Sequence, residues 1–164
     1  MLCISVEEFL FWKKKQLSKG GDQPSFDFLL DCIGGISSSD LNLKSLNPKE
    51  DIHLKKNLEF LESVWDDHLL KSCPIQYLCG ITYWRDLKLK VTNKVLIPRP
   101  ETELIVDIVF DIFRKKSEKL FFAELGTGSG AISIALALAY PFSEGVATDI
   151  DQEALEIALS LIHI

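Results

Sequence analysis

The chain has 164 residues and a mass of 18.5 kDa, 47% of its residues are hydrophobic, and its formal net charge is −6. This apolar content is enough for a packed core and excludes an intrinsically disordered chain, while the length allows one domain or two small ones. Nine basic and twelve acidic residues lie on each side of the Cys73–Pro74 bond, so neither half has the basic excess typical of nucleic-acid-binding proteins.

The N-terminal sequence and the cysteines indicate a cytoplasmic protein. Acidic Glu7 and Glu8 follow Met1 closely without a basic stretch, so we expect no signal peptide. The apolar runs fall short of the ~20 residues that a membrane-spanning helix needs. The cysteines form no C-x-x-C pair, which predicts free thiols and no metal site. These cysteines are Cys3, Cys32, Cys73 and Cys79.

The first seventy-odd residues are predicted to form four helices. Ser5 and Glu8 have capping-box spacing and start a helix that ends before Gly20-Gly21. A second helix runs from about Ser25 to Gly34-Gly35, and a short third follows the serines at 37–39. The Asn47-Pro48 pair predicts the start of a fourth helix that ends at Pro74. This fourth helix would carry Leu54, Leu58, Leu61 and Trp65 on one face, and His53 and His68 as surface or core residues.

The remaining sequence predicts a β-hairpin followed by an α/β pattern. Alternation of Leu87, Leu89 and Val91 with polar residues indicates a half-buried strand within residues 76–97. An amphipathic helix is expected over about 104–113, carrying Leu104, Ile105, Ile108, Val109, Ile112 and Phe113. Then come a strand (120–125), a helix (131–140), a strand (145–150) and a helix (152–161), the opening of a parallel sheet with crossover helices. The predicted fold class is therefore α/β.

A glycine-rich turn joins the first of these strands to its helix. The sequence from Glu124 to Gly130 is ELGTGSG, with glycines at alternate positions. Glycines at such spacing let a backbone turn tightly and approach a ligand closely, although one or two of them often serve only packing. The pattern predicts a ligand-binding loop.

Spacing alone leaves two ligands open. The dinucleotide fingerprint is G-x-G-x-x-G, and Ala131 stands where that pattern places its last glycine or alanine. Asp149 ends the second strand and could bind ribose hydroxyls of either ligand, or act only as a turn or helix-capping residue. Glu124 would repel a pyrophosphate and suits an ammonium group, which favours S-adenosylmethionine over NAD.

The loop resembles that of class I methyltransferases, and two further segments are more specific. Residues 74–80 read PIQYLCG, and residues 95–103 read VLIPRPETE. Together they resemble the HemK-like family, which methylates the side-chain amide of a glutamine in peptide-chain release factors. The resemblance implies a helical substrate-recognition domain (1–73), a β-hairpin linker (74–97) and the start of a Rossmann-like methyltransferase domain (98–164).

The resemblance also assigns roles to residues. S-adenosylmethionine would be the cofactor, Asp149 would hold its ribose, and release factors would be the protein partners, with no direct binding of nucleic acid or membrane. The loop residues that would cradle the methionine part are Gly126, Thr127, Gly128, Ser129 and Gly130. The active-site wall would comprise Arg99, Pro100, Glu101, Thr102 and Glu103, although proline and acids are also typical of a helix N-terminus.

One family element is absent. The family's Asn-Pro-Pro-Tyr tetrapeptide, which grips the target amide, does not occur in this sequence, so no catalytic residue is assigned. We therefore interpret the chain as C-terminally truncated and expect it not to methylate as it stands. Two other hypotheses stay open: a class I methyltransferase with another substrate, such as a nucleobase amine, and a non-catalytic helical protein-binding module attached to a broken nucleotide fold.

Overall fold

The computed structural model describes residues 2–45, 47, 50–114 and 119–162. The chain divides between Cys79 and Gly80 into two compact units. The first unit contains β1 (Leu2–Ser5), α1 (Val6–Ser18), α2 (Gln23–Leu29), a π-helical segment (Leu30–Gly34), α3 (Ser38–Ser45), β2 (Asp51–Leu54), α4 (Leu58–Lys71) and α5 (Ile75–Cys79). The second contains β3 (Ile81–Trp84), β4 (Leu87–Lys90), a 3₁₀ turn (Pro100–Thr102), α6 (Glu103–Ile112), β5 (Phe121–Leu125), α7 (Ala131–Ala139), β6 (Glu144–Thr148) and α8 (Gln152–Ile162).

Short polar side chains start the helices of the first unit. The Ser5 hydroxyl accepts the Glu8 N–H at 3.2 Å, as the capping-box spacing predicts. Asn57 does the same for α4, where its side chain accepts the Phe60 N–H at 3.0 Å. The π-helical segment ends at Gly35, whose φ of +75° is the left-handed conformation that glycine adopts without strain.

The cap of α2 gives a stability prediction. The Asp22 carboxylate accepts the Ser25 N–H at 2.8 Å and the Ser25 hydroxyl at 2.9 Å, and the backbone bond is the main cause that lowers the pKa of Asp22. We expect Asp22→Ala to reduce the free energy of unfolding of the first unit by about 1 kcal/mol, whereas Asp22→Asn, which keeps an acceptor, costs much less. Urea denaturation of the three proteins measures this, and equal midpoints would contradict it.

The prediction that the N-terminal part is entirely helical is wrong. β1 and β2 form an antiparallel pair in which Leu2 lies opposite Leu54 and Ser5 opposite Asp51. The fourth helix does not begin at Asn47 but at Leu58, so Leu54 lies on a strand; Pro48 and Lys49 lie outside the described residues. His53 belongs to β2, and only His68 lies on the helix. The alternating burial of β2, with Ile52 and Leu54 inside, is the period of a strand.

The core of the first unit is built around Trp65 of α4. Its ring meets that of Phe26 edge-on at 4.8 Å between centroids, and its indole N–H donates to the Gln16 carbonyl at 3.2 Å. Both aromatic side chains are fully buried. The helices and the short sheet therefore enclose a common apolar centre. This centre comprises Ile4, Val6, Phe9, Trp12, Phe26, Leu29, Leu30, Ile36, Leu41, Ile52, Leu54, Leu61, Trp65 and Ile75.

The second unit confirms the predicted hairpin strands and the α/β pattern. β3 and β4 are antiparallel, with Trp84 opposite Leu87, so a two-residue turn connects them. β5 and β6 are parallel, with Leu125 opposite Thr148, and α7 is the crossover helix between them. Both strands of this pair end at the glycine-rich turn. The buried core of the second unit comprises Trp84, Leu89, Val106, Leu120, Ala131, Leu136 and Tyr140.

Helix α6 forms as predicted but buries a different stripe. Val106 is completely buried, while Leu104, Ile108 and Ile112 are about half or more exposed. The helix is apolar on nearly all sides, so the pattern indicates a helix without fixing which stripe packs. No helix within the described ranges is both long and apolar enough to span a membrane.

Candidate functional site

The glycine-rich turn lies at the carboxyl ends of two parallel strands. Gly126, Gly128 and Gly130 have φ values of +76°, +55° and +80°, which residues other than glycine rarely adopt. A Cβ at Gly126 or Gly128 would have no atom within 4 Å, whereas one at Gly130 would lie 3.2 Å from both Ala158 and Ile134. The first two glycines therefore expose backbone next to open space, and the third serves the packing of α7 against α8.

Glu124 ties the turn to the start of α7. Its Oε2 accepts the Thr127 hydroxyl at 2.8 Å, the Ser133 N–H at 3.1 Å and the Ser133 hydroxyl. The residue before α7 is a glycine and has no capping side chain, so the carboxylate caps this helix from the neighbouring strand. None of the three bonds uses Oε1, which leaves that oxygen for a cationic ligand.

Three backbone donors of the turn are already engaged. The Gly126 and Thr127 N–H groups donate to the Thr148 carbonyl at 2.8 and 2.9 Å, and the Gly130 N–H donates to the Thr127 carbonyl at 2.8 Å. A phosphate site needs such donors free, together with an unoccupied helix N-terminus. Here these three donors are used, and the Glu124 carboxylate occupies the helix N-terminus. The site therefore suits a cationic ligand better than a pyrophosphate.

Thr127 and Ser129 are placed differently from the glycines between them. Thr127 is 6% exposed and Ser129 is 2% exposed, so both side chains point away from the open space. Of the loop residues predicted to cradle a ligand, these two can offer little more than their backbone.

Asp149 joins the second strand to the turn. Its Oδ2 accepts the Gly128 N–H at 2.8 Å, and its Oδ1 accepts the Asp151 N–H at 3.0 Å. The capping role at α8 falls to Asp151, whose carboxylate accepts the Glu153 N–H at 2.8 Å. Asp149 thus has a turn role, and each of its oxygens keeps a lone pair for another donor.

These bonds predict a pH dependence. The Asp151 N–H, followed by the Gly128 N–H, holds the pKa of Asp149 below its ordinary value. Since the ionised form is the bonded one, its stabilisation is complete above the ordinary pKa and is lost as pH falls through the lower folded-state pKa, that is, below about pH 4. The amide NMR signals of Gly128 and Asp151 should shift together in that range. In Asp149→Asn these shared shifts should disappear, and their persistence would contradict the assignment.

The segment Arg99–Glu103 is held by the tip of the hairpin. The Trp84 indole N–H donates to the Arg99 carbonyl at 3.0 Å. Arg85, at φ +50°, donates from its guanidinium to the Glu103 carbonyl at 3.2 Å and to Asp107 at 2.8 Å, and its N–H donates to the Glu103 carboxylate at 3.3 Å. Sequence reasoning missed Arg85, because nothing in a two-residue turn indicates a contact with a helix 18 residues later.

The five residues of this segment are therefore not equivalent. Pro100 begins the 3₁₀ turn, the Thr102 N–H donates to the Arg99 carbonyl at 3.0 Å, and the Glu103 carboxylate is engaged by Arg85. The side chains of Arg99 and Glu101 are exposed. Helix α6 packs against α7, but in the described part of the chain no hydrogen bond or ion pair joins this segment to the glycine-rich turn. Glu103 therefore connects this segment to the hairpin, while the side chains of Arg99 and Glu101 are exposed to solvent.

Two of the three histidines, His53 and His68, lie in the first unit. His68 Nδ1 lies 2.7 Å from the Cys73 carbonyl oxygen, and its ring centroid lies 4.9 Å from that of Trp65, with the two planes tilted by 36°. His163 lies outside the described residues. No group of three or more His, Cys, Asp or Glu side chains capable of holding a metal occurs among the residues that the structure describes.

Curated relatives are similar to this chain over most of its length. A "Release factor glutamine methyltransferase" of Prochlorococcus marinus is 42% identical in an alignment 164 positions long, which covers 98% of this chain and 55% of the relative. Proteins of the same name from Thermosynechococcus vestitus (41% identity; 79% of this chain, 44% of the relative) and Synechocystis sp. (36%; 94% and 54%) are also similar. The chain spans about half the length of these relatives. No protein-family model matches it.

Proposed function

We propose that this chain, which belongs to the release factor glutamine methyltransferase family, carries the cofactor-binding part of a methyltransferase. The whole enzyme would methylate a glutamine side chain in a peptide-chain release factor. The observation that carries the proposal is the Glu124 carboxylate on the N-terminus of α7, together with the engaged N–H groups of Gly126, Thr127 and Gly130. This arrangement fits S-adenosylmethionine, whose sulfonium and ammonium groups are cationic, better than NAD, which would bring two phosphates.

Each predicted cofactor residue has a role consistent with its geometry. The exposed backbone of Gly126 and Gly128 would contact the methionine part of S-adenosylmethionine, and Glu124 Oε1 would accept its ammonium N–H groups. Asp149 would accept the ribose hydroxyls with the lone pairs left by its two backbone bonds. Thr127 and Ser129 would contribute only backbone, and Gly130 would hold α7 in place.

The cofactor supplies a methyl group already activated by its sulfonium, so the protein must mainly position the acceptor. An amide nitrogen is a weak nucleophile and needs its carbonyl and N–H groups held in place. In this chain the Arg99–Glu103 segment would form part of the wall, with Arg99 and Glu101 offered to the substrate and Glu103 fixing the segment. The groups that grip the amide would belong to the Asn-Pro-Pro-Tyr element, which this chain lacks.

The domain layout belongs to the same proposal. Residues 1–73 would recognise the release factor, and residues 98–164 would form the first part of the methyltransferase domain. Residues 74–97 would link the two domains. The hairpin's Trp84 and Leu89 are core residues of the second unit, so the linker would also support that domain. The parallel β5–β6 pair would be the first part of a larger sheet, in keeping with a chain that spans about half its relatives.

Amide NMR titration tests cofactor binding by this chain. We expect S-adenosylmethionine to shift the signals of residues 124–130 and of Asp149 saturably, with weak affinity because the site is only partly present. Gly126→Ala should abolish the shifts. Gly80→Ala is the matched control, because Gly80 has almost the same φ (+73°) and equally open surroundings but lies outside the turn. Loss of binding in both variants, or saturable shifts with NAD alone, would contradict the proposal.

The glutamine target needs a separate test. The reading frame beyond Ile164 is expected to encode Asn-Pro-Pro-Tyr, and the protein carrying both parts should transfer a labelled methyl group to a release factor. A release factor with the acceptor glutamine replaced by asparagine is the control. Labelling of that control, or of a nucleic acid instead, would favour another substrate.

A further inference from the structure

Trp84 and Arg85, at the tip of the hairpin, hold both ends of the proposed active-site wall. The buried Trp84 donates its indole N–H to the Arg99 carbonyl at 3.0 Å, which fixes the first residue of the wall. Arg85 fixes the last residue, because its guanidinium donates to the Glu103 carbonyl at 3.2 Å and its backbone N–H donates to the Glu103 carboxylate at 3.3 Å. Between these two holds, the side chains of Arg99 and Glu101 are exposed.

The Arg85 side chain lies along one face of α6. Besides Glu103 it contacts Asp107, at 2.8 Å, and Phe110, whose ring centroid lies 5.5 Å from the guanidinium carbon. These three positions are spaced four and three residues apart, so they share one face of the helix. The Phe110 ring in turn packs against Tyr140, which is buried in the core of the second unit. Since only 23% of the Arg85 side chain is exposed, the guanidinium connects the wall to this core.

The backbone of Arg85 is strained. Its φ of +50° lies in the left-handed region, at the first residue of the two-residue hairpin turn. Glycine is the usual residue where the first position of such a turn needs a positive φ. A glycine here would relieve the strain and keep the backbone N–H bond to Glu103, but it would remove every contact of the guanidinium. Arg85→Gly therefore separates the stability of the hairpin from the hold on the wall.

We propose that Arg85 is a positioning residue, whose guanidinium keeps the wall in the conformation that presents Arg99 and Glu101 to the protein acceptor. The acceptor belongs to the proposed function, on which this role of Arg85 rests. Arg85 acts through Glu103 and would touch neither cofactor nor acceptor. Without the guanidinium, the Glu103 end of the wall retains the 3.3 Å bond to the Arg85 N–H but loses the bond to its carbonyl. The wall then moves more freely and binds the acceptor less tightly, because binding must also order it.

Titration of the ¹⁵N-labelled 164-residue chain with unlabelled release factor tests this role. In Arg85→Gly we expect the melting temperature to stay within about 3 °C of the parent's, because relief of strain offsets the lost contacts. The amide order parameters of Glu101 and Thr102 should fall from about 0.85 to below about 0.6. Release factor should shift the Glu101 signal of the parent, and the concentration that gives half of this shift should rise about fivefold in Arg85→Gly.

Three further variants act as controls. Asp107→Asn weakens the anchor of the guanidinium without altering the turn, so it should change order and affinity in the same direction. In the parent one nitrogen, Arg85 Nη1, donates to both Glu103 and Asp107, so Arg85→Lys should recover at least about half of the lost affinity. Arg114→Ala removes a guanidinium that donates to the Asp111 carbonyl and should leave the order parameters and the affinity unchanged.

The possible failures are distinguishable. An Arg85→Gly variant with the order parameters and the affinity of the parent would overturn the role of Arg85. A lower melting temperature with unchanged affinity would overturn it too, since that result fits a purely structural contact. A release factor that shifts no signal of the parent chain would instead contradict the proposed function, and the role of Arg85 would fail with it.

Discussion

Replacing Glu124 by alanine is expected to destabilise the second unit by about 2 kcal/mol, because buried and half-buried donors lose their shared acceptor. The Ser133 N–H at the start of α7 and the Thr127 hydroxyl in the turn would both need a new partner. The negative charge on the helix N-terminus would also be lost. Urea unfolding followed by amide NMR signals of α7 measures the change, and the signals of the turn should broaden well below the main transition.

Two variants separate the cap from the charge. Glu124→Gln keeps an oxygen acceptor and should cost less than half as much as the alanine variant. Glu144→Ala removes a carboxylate from the neighbouring strand, where it forms an exposed ion pair with Lys119 at 2.6 Å; the expected cost is below about 0.5 kcal/mol. Equal effects of Glu124→Ala and Glu144→Ala would show that the three hydrogen bonds contribute little.

The largest effect on the first unit is expected for Trp65→Ala, a loss of about 3–5 kcal/mol in the free energy of unfolding. The indole is fully buried, packs on Phe26 and leaves no room for a side chain at Gly21, where a Cβ would lie 2.5 Å from the ring. Its removal creates a cavity that the surrounding helices and the short sheet cannot close. A marginally stable unit would unfold, which the loss of its amide NMR dispersion would report.

The controls use the same unit. Trp65→Phe retains most of the volume and loses the N–H bond to Gln16, so it should cost less than half as much. Phe11→Ala removes an aromatic side chain that is 73% exposed on α1 and should leave stability nearly unchanged. If Phe11→Ala destabilised as much as Trp65→Ala, the core would not be centred on Trp65.

Local patterns predicted the helices and strands that short-range chemistry specifies. The Ser5 cap, the stop at Gly35 and the strand–turn–helix around Gly126 depend on neighbouring residues, and all three are confirmed. The β1–β2 pair was missed because it joins distant segments. Leu54 stands four residues before Leu58, so it fits a helical face as well as the alternation of a strand, and only pairing with Leu2 decides between them.

The residues of the candidate site were predictable from the sequence, but the hydrogen bonds between them were not. The sequence indicated a ligand-binding turn with acids at both strand ends, and Glu124 and Asp149 both accept hydrogen bonds from residues of that turn. It could not indicate that Glu124 caps α7 or that Arg85 engages Glu103. Both contacts depend on how helices pack on the hairpin and the sheet, which is information that no local spacing contains.

The pairing of Leu2 with Leu54 bears on how the chain folds as it is synthesised. β1 is made first, yet its partner strand emerges about fifty residues later, so the first strand must wait unpaired until the ribosome has released most of the first unit. Closing so long a loop is entropically costly, and it should set the slow phase of folding for this unit. The hairpin and the β5–α7–β6 segment join nearer neighbours and should form faster.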